Sequence, residues 1–238
     1  MKKILIFGSY GYLGNILYDF LSLKPEIEIH RQGRNEGSMH KIDPINLNEC
    51  NLIIKKIRPD VIINLIALTN VDECESKPKL AKIVNNLIVD NIKNSISLNN
   101  KNIYLIHIST DQVYSGQGPH LENTPNPINI YAKTKLEGEN KLLGTNSIIL
   151  RTNFIGKSTI NNKMSFSDWI VKSLRSGNKI NVFKDIKFNP LHTSTLCGEI
   201  FKIINIQKTG IYNLGTKDFI SKSELAYSLS NHLSLDSS

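Results

Sequence analysis

Apolar segments of strand length alternate along this chain with segments of helical periodicity, and this alternation constrains the fold more than any other feature. The strand-like segments are rich in Ile, Val and Leu throughout, which is typical of strands covered on both faces. Strands separated by helices favour parallel βαβ units. The predicted strands are residues 3–7, 26–30, 61–67, 102–108 and 147–150, and the predicted helices are residues 12–23, 46–56, 78–98 and 130–143.

The alternation weakens after about residue 153, which indicates a second, smaller lobe. Residues 1–153 are predicted to form a Rossmann-type α/β domain with a doubly wound parallel sheet that binds NAD(P). Residues 154–238 are predicted to form a substrate-binding lobe with helices at 167–176, at 194–204 and after Ser221, where Glu224 completes a capping box. The strand-like residues 211–214 suggest a return to the first domain near residues 192–214.

Composition and charge exclude several classes of protein. The formal charge is +8 and the pI about 9.3, but Lys and Arg are scattered and not interleaved with aromatic residues, so we predict no nucleic-acid binding. The three cysteines, Cys50, Cys74 and Cys197, are far apart and lack metal-ligand spacing. They indicate neither disulfides nor a metal site and favour a reducing cytoplasm. Because no apolar run approaches ~18 residues, we expect no membrane association.

A glycine-rich turn directly follows the first predicted strand and opens the first predicted helix. Residues 8–14 have the pattern G-x-x-G-x-x-G, which lets backbone N–H groups approach a pyrophosphate at the positive end of the helix. Glycines often mean only a tight turn, but this position favours dinucleotide binding. The candidate cofactor-binding residues of the turn are Gly8, Tyr10, Gly11, Tyr12, Leu13 and Gly14.

The end of the second predicted strand indicates which dinucleotide binds. An acidic residue there would hold a ribose 2′-hydroxyl, whereas this segment carries Arg31 and Arg34. A guanidinium can donate two hydrogen bonds to a 2′-phosphate, so NADP(H) is preferred. NAD(H) stays an alternative, because Glu28 lies close by and both arginines would also suit a solvated loop. Asp43 is a candidate acceptor for the adenine amino group or a cap for the following helix.

Three residues form the strongest candidate catalytic site. Thr110 follows the fourth predicted strand at the carboxyl edge of the sheet, where ligands of open α/β sheets bind. Tyr131 and Lys135 are four residues apart on a predicted helix and therefore share a face. A neighbouring ammonium and a nicotinamide cation can lower the pKa of a tyrosine from ~10 toward neutrality. Tyr131 would then protonate a carbonyl oxygen while hydride reaches the carbon.

These features together resemble the extended short-chain dehydrogenase/reductase superfamily and, within it, the dTDP-4-dehydrorhamnose reductase family. The resemblance covers nearly the whole chain and is carried by residues 8–14, 67–75, 109–116, 127–139, 150–152 and 210–215. It implies that Thr110, Tyr131 and Lys135 are a catalytic triad, with Lys135 also holding the nicotinamide ribose. The further residues that it implies are Ala67 and Thr69 for the cofactor cleft, and Asp111, Gln112, Arg151 and Asn153 for the sugar site.

The activity implied by the resemblance is NADPH-dependent reduction of the 4-keto group of a nucleotide-activated deoxysugar, as in the synthesis of cell-surface polysaccharide precursors. Similar 4,6-dehydratases have a glutamate acid/base where this chain has Gln112, and an amide cannot exchange a proton at neutral pH. Two alternatives stay open: a nucleotide-sugar epimerase with bound NAD, and a non-catalytic cofactor-binding subunit such as the β subunit of methionine adenosyltransferase. We also expect a homodimer.

Overall fold

A parallel sheet forms the centre of the molecule in the computed structural model, which describes residues 1–99, 102–160 and 164–234. The strands are β1 (Lys2–Phe7), β2 (Ile27–Gly33), β3 (His40–Lys41), β4 (Val61–Asn64), β5 (Tyr104–Thr110), β6 (Ser147–Thr152), β7 (Phe154–Ile155), β8 (Lys187–Phe188), β9 (Leu191–His192), β10 (Gly210–Leu214) and β11 (Ile220–Ser221). Seven of them pair in the order β10-β6-β5-β4-β1-β2-β3, and every pairing in this sheet is parallel. The predicted doubly wound α/β fold is therefore confirmed.

The helices connect these strands and cover both faces of the sheet. They are α1 (Tyr12–Ser22), α2 (Leu47–Ile57), α3 (Val71–Ser76), α4 (Pro78–Lys82), α5 (Ile88–Leu98), α6 (Ile130–Asn140), α7 (Phe166–Arg175), α8 (Thr193–Ile206) and α9 (Lys222–His232). The single helix predicted over residues 78–98 is α4 and α5 joined by a π-helical turn, Ile83–Leu87. Within the described ranges, no helix has the length and apolar character needed to cross a lipid bilayer.

Two apolar layers hold the helices on the sheet. Alternate residues of the central strands point to opposite faces, as strand geometry requires. Leu17 of α1 and Ile200 of α8 pack in the layer on one face, and Ile54 of α2 and Ile92 of α5 pack in the layer on the other. The carboxyl ends of the strands are left to carry the loops that bear the candidate site.

The chain after β6 alternates between the sheet and a smaller lobe. Strand β10 pairs with β6 as the outer strand of the main sheet. The lobe contains two short sheets, β7 with β9 and β8 with β11, beside α7 and α9. None of these two-residue strands was predicted, and the strand predicted over residues 61–67 ends at Asn64, after which the backbone leaves the sheet. The division at residue 153 stays a prediction.

Candidate active site

The glycine turn joins β1 to α1 and has room only for glycine at its closest contacts. Gly8 has a φ of +75°, and a Cβ there would lie 3.1 Å from the backbone nitrogen of Ile66. A Cβ on Gly14 would lie 2.4 Å from the carbonyl oxygen of Gly8. Gly11 is the N-cap of α1, so no side chain caps the first turn of this helix. The first N–H groups of α1 are thus open to an anionic ligand, as a pyrophosphate site requires.

The other predicted residues of the turn make contacts within the protein. The Tyr12 hydroxyl donates to the carbonyl oxygen of Gly156 at 2.6 Å, and its ring packs against Phe154. Burial raises the pKa of Tyr12 to about 12. Leu13 is buried in the core, and the Tyr10 hydroxyl accepts from the backbone N–H of Met39. Tyr12 therefore ties the turn to the segment after β7.

Arg31 is held under the turn rather than extended into solvent. Its guanidinium lies between the rings of Tyr10 and Tyr18, 4.1 and 4.0 Å from their centroids. It donates to the carbonyl oxygen of Ser9 at 2.8 Å and to the side chain of Asn15. Its Nε is buried and has no hydrogen-bond partner in the structure described. Arg31 thus supports the shape of the turn, and its donation to a phosphate stays a prediction.

Arg34 is the first residue after β2 and is exposed. Of the two arginines, Arg34 is the exposed one, in the loop where a 2′-phosphate was expected. Between the two arginines, buried Gln32 accepts from the N–H of Gly8 at 3.0 Å and donates to the carbonyl oxygen of Ile42 at 2.9 Å. The sequence did not predict this role of Gln32, because its partners, Gly8 and Ile42, lie on two other segments that the local sequence pattern does not bring together.

Asp43 does not cap α2, so that alternative is wrong. Asn46 is the N-cap, and its side chain accepts from the N–H of Asn48 at 2.9 Å. The Asp43 carboxylate instead accepts from the N–H of Ile45, which closes a local turn. Contact of Asp43 with an adenine stays a prediction.

The loop after β4 carries half-buried Ala67 and exposed Thr69. Between them, Leu68 is held by buried Asn85 from the π-helical turn, whose side chain accepts from the Leu68 N–H at 2.8 Å and donates to the Leu68 carbonyl at 3.2 Å. Asn85 also donates to the Thr134 hydroxyl on α6 at 3.1 Å. A π-helical turn commonly marks a functional site. The sequence analysis did not predict this role of Asn85. A polar Asn within an apolar helical segment was the feature that could have indicated it.

Thr110 ends β5 and meets two of the predicted sugar-site residues. Its hydroxyl oxygen accepts from the N–H of Gln112 at 3.1 Å and lies 3.4 Å from a carboxylate oxygen of Asp111. Asn153, just after β6, donates to the same carboxylate at 3.2 Å. Burial raises the pKa of Asp111, although these hydrogen bonds act against that shift. Gln112 is exposed beside them. The structure thus brings Thr110, Asp111 and Asn153 together at one sheet edge.

Tyr131 and Lys135 lie on the buried face of α6, with 6% and 1% of their surface exposed. Burial raises the pKa of Tyr131 to about 12, and an interaction with the Thr110 hydroxyl offsets part of this shift. The lowering that we expected from Lys135 is therefore wrong for this arrangement. Lys135 Nζ donates instead to the carbonyl oxygen of Ile108 at 2.8 Å and lies 3.4 Å from Nε2 of His107. The phenol of Tyr131 is protonated at neutral pH, as a proton donor must be.

Arg151 forms a buried ion pair below this site. Its Nη2 lies 2.6 Å from a carboxylate oxygen of Glu139, which is fully buried on α6 and also accepts from Ser109. Another guanidinium nitrogen donates to the Tyr114 hydroxyl at 2.7 Å and to the Glu122 carbonyl at 2.8 Å. The protein's own groups thus occupy this guanidinium, and its contact with a sugar stays a prediction. No cluster of three or more His, Cys, Asp or Glu suited to a metal occurs among the residues described.

Known proteins are similar to this chain in sequence and in fold. The family model for the RmlD substrate binding domain matches residues 1–238. A dTDP-4-dehydrorhamnose reductase of Salmonella typhimurium is 34% identical over 197 residues, covering 77% of this chain and 60% of that enzyme. A Bacillus anthracis dTDP-4-dehydrorhamnose reductase solved with NADP superposes with a TM-score of 0.87 at 27% identity, covering 99% of this chain and 82% of that one.

A second kind of relative also matches. The β subunit of methionine adenosyltransferase 2 from Xenopus laevis is 24% identical over 258 residues, which span this whole chain and 74% of that protein. A protein named as a subunit of another enzyme is thus also similar to this chain. The match over residues 1–238 and the parallel sheet support the same assignment. The chain belongs to the RmlD substrate binding domain family.

Proposed function

We propose that this chain reduces the 4-keto group of a nucleotide-activated deoxysugar with NADPH, in the synthesis of polysaccharide precursors. The observation that carries the proposal is the position of two sites at one edge of one sheet. A glycine turn suited to a pyrophosphate follows β1, and Thr110, Tyr131 and Lys135 lie where β5 meets α6. Relatives named as dTDP-4-dehydrorhamnose reductases, one of them solved with NADP, support it.

The residues present fit a dinucleotide. The first N–H groups of α1 would hold the pyrophosphate, Arg34 the 2′-phosphate, and Lys135 the nicotinamide ribose, with Ala67 and Thr69 along the cleft. The glycine positions support this fit, because a Cβ at Gly14 would fill the space beside the Gly8 carbonyl. When bound, NADPH would supply the hydride. NAD(H) is the second choice for the same cleft.

The chain's own residues would orient and protonate the substrate. The hydroxyls of Thr110 and Tyr131 donate hydrogen bonds to the ketone oxygen, and Tyr131 gives its proton to that oxygen as the alcohol forms. Asp111 and Asn153, which are hydrogen-bonded to each other, would contact the sugar hydroxyls. Exposed Gln112 is neutral and cannot act as an acid/base, so we expect no 4,6-dehydratase activity.

Purified protein and dTDP-4-dehydrorhamnose test this proposal. We expect NADPH oxidation that depends on the sugar, with one reduced sugar formed per NADPH consumed and slower turnover with NADH. A protein that leaves NADPH unchanged across several nucleotide 4-ketosugars would overturn the proposal. A 4-keto-6-deoxy product formed from a nucleotide hexose would overturn the argument from Gln112.

The likeness to the methionine adenosyltransferase subunit supports a second candidate, a cofactor-binding regulatory subunit. Such a protein would bind NADPH without consuming it and would alter the rate of a partner enzyme. An epimerase would instead retain NAD⁺ through purification and interconvert two nucleotide sugars. The same preparation separates the three, because turnover of added NADPH is expected only from the reductase. The homodimer, the absence of nucleic-acid binding and the cytoplasmic location remain predictions.

A further inference from the structure

His107 and Asn64 have no part in the reaction described above, but both lie in a buried hydrogen-bond chain that ends at Lys135. The ring is fully buried on β5, between Asn64 at the end of β4 and Lys135 on α6. Nδ2 of Asn64 lies 3.2 Å from Nδ1 of His107, and Nζ of Lys135 lies 3.4 Å from Nε2 of His107. Oδ1 of Asn64 accepts from the backbone N–H of Ile66 at 3.1 Å. These hydrogen bonds thus link the loop after β4 to Lys135.

The direction of these hydrogen bonds follows from donor and acceptor chemistry. A backbone N–H can only donate, so Ile66 must face the amide oxygen of Asn64, which leaves the amide nitrogen facing His107. An amide nitrogen also only donates, so Nδ1 of the ring is the acceptor and carries no proton. Burial lowers the pKa of His107 well below its ordinary value, so the ring is neutral. Its single proton is therefore on Nε2.

The Nε2–H bond of His107 then faces Nζ of Lys135. An ammonium has three donors and no acceptor, whereas a neutral amine has a lone pair that can accept. Among the residues described, Nζ also meets the carbonyl oxygen of Ile108, which accepts from either form. The charge of Glu139 favours the ammonium, but that carboxylate is paired with Arg151. His107 is thus the contact that separates the two forms of the lysine.

We propose that His107 is a positioning residue that disfavours the ammonium form of Lys135, with Asn64 holding the ring in the required tautomer. Its catalytic meaning rests on the proposed function. Burial lowers the pKa of Lys135 to about 8, and the Nε2–H bond acts in the same direction. A lysine with a lower pKa is a stronger acid. We expect a more acidic Lys135 to give up a proton more readily when Tyr131 has to regain the one that it gave to the ketone.

The tautomer of His107 can be measured in the unmodified protein. Imidazole ¹⁵N NMR of the full chain, without substrate, distinguishes protonated from unprotonated ring nitrogens. We expect a proton on Nε2, none on Nδ1, and no titration of the ring between pH 6 and pH 8. A proton on Nδ1, or a ring that becomes cationic in this range, would overturn the proposal without any variant being needed.

The effect on Lys135 is tested with His107→Gln, because the glutamine amide can turn an oxygen acceptor toward Nζ. The ¹³Cε signal of Lys135, assigned by its loss in Lys135→Met, reports the lysine titration. We expect the pKa to rise from about 8 in the wild type toward the ordinary value of ~10.4 in His107→Gln. His232→Gln, an exposed histidine on α9, is the control and should leave it unchanged.

An unchanged Lys135 titration in folded His107→Gln would overturn the proposal. Neither measurement uses a sugar or NADPH. A protein that shows both expected results but no ketosugar reduction would contradict the proposed function alone.

Discussion

The glycine turn after β1 and the buried face of α6 lie at the same edge of the sheet, but they are made of different groups. The turn is formed by backbone atoms packed closely around glycines, where Gly8 has a positive φ and Gly14 lies against the Gly8 carbonyl. Ionisable side chains fill the face of α6, where Lys135 and Glu139 are fully buried. Glu139 is paired with Arg151 of β6, whereas in the described part of the chain Lys135 meets only the Ile108 carbonyl and the ring of His107.

The two regions should therefore tolerate different substitutions. A backbone-shaped turn is sensitive to added atoms, because its neighbours are backbone atoms that cannot move aside. A region with buried charges is sensitive to the balance of charge, because a paired ion and a poorly paired ion respond to removal in opposite ways. Arg151 is the paired ion, and Lys135 is the poorly paired ion.

The largest effect is expected from breaking the paired ion with Arg151→Met. The change leaves the Glu139 carboxylate buried without its guanidinium and removes the contacts to Tyr114 and Glu122. We expect a loss of about 3–5 kcal/mol in the free energy of unfolding, measured by urea denaturation. Arg175→Met, which removes an exposed arginine of α7, should change it by less than about 0.5 kcal/mol. A loss below about 1 kcal/mol for Arg151→Met would show that the pair is not buried as described.

Removing Lys135, the poorly paired ion, should increase the free energy of unfolding. The pKa of Lys135 is lowered from 10.5 to about 8 in the folded chain, so between these pH values the unfolded chain binds more protons and wild-type stability rises with pH. Lys135→Met, which also loses the bond to Ile108, should stabilise the fold by about 1–3 kcal/mol at pH 7 and by less near pH 10. Urea denaturation at both pH values measures this.

Lys133→Met is the matched control on the same helix, because Lys133 is exposed. It should leave the unfolding free energy nearly unchanged at both pH values. Destabilisation by Lys135→Met at pH 7 would mean that the lysine is better paired than its surroundings indicate. In the enzyme, Lys135→Met should still lower turnover and weaken cofactor binding.

Arg34 and Arg31 differ in the same way at the cofactor end of the sheet. Exposed Arg34 is free to donate to a 2′-phosphate, and a charge-assisted hydrogen bond contributes about 1.5–3 kcal/mol. Arg34→Ala should therefore weaken NADPH binding by about 10- to 100-fold in calorimetry and leave NADH binding nearly unchanged. Arg31→Ala should weaken both cofactors, because its guanidinium holds Ser9 and Asn15. An equal loss of both cofactors in Arg34→Ala would remove this assignment.

The smallest change is a single methyl group. Gly14→Ala places a Cβ 2.4 Å from the Gly8 carbonyl oxygen and 2.6 Å from the Ser9 Cα, so the turn must shift. We expect a loss of about 1–3 kcal/mol of stability, measured by thermal denaturation, and weaker binding of both cofactors. Gly198→Ala on α8 meets nothing within 4 Å and should stabilise the fold slightly, by up to about 1 kcal/mol. Equal behaviour of the two variants would contradict the description of the turn.

The same contrast explains what could be predicted from sequence. The turn was predictable because glycine spacing between a strand and a helix is a local signal, and the four-residue spacing of Tyr131 and Lys135 is local too. Asn85 and Gln32 were missed because each bonds to segments distant in sequence. The pKa direction of Tyr131 was wrong because burial depth depends on how α6 packs, which spacing does not show. The two-residue strands are too short for a periodic pattern.

Tyr131 is tested most sharply by NADPH oxidation with dTDP-4-dehydrorhamnose in Tyr131→Phe, compared with Tyr227→Phe, which changes an exposed tyrosine of α9. Tyr131→Phe keeps the ring and its packing while removing the proton that the mechanism assigns. We predict that turnover falls by about 10²- to 10⁴-fold while the fold and NADPH affinity are retained, and that Tyr227→Phe matches the wild type. Unaltered ketosugar reduction by folded Tyr131→Phe would contradict the account and leave only a dinucleotide-binding protein.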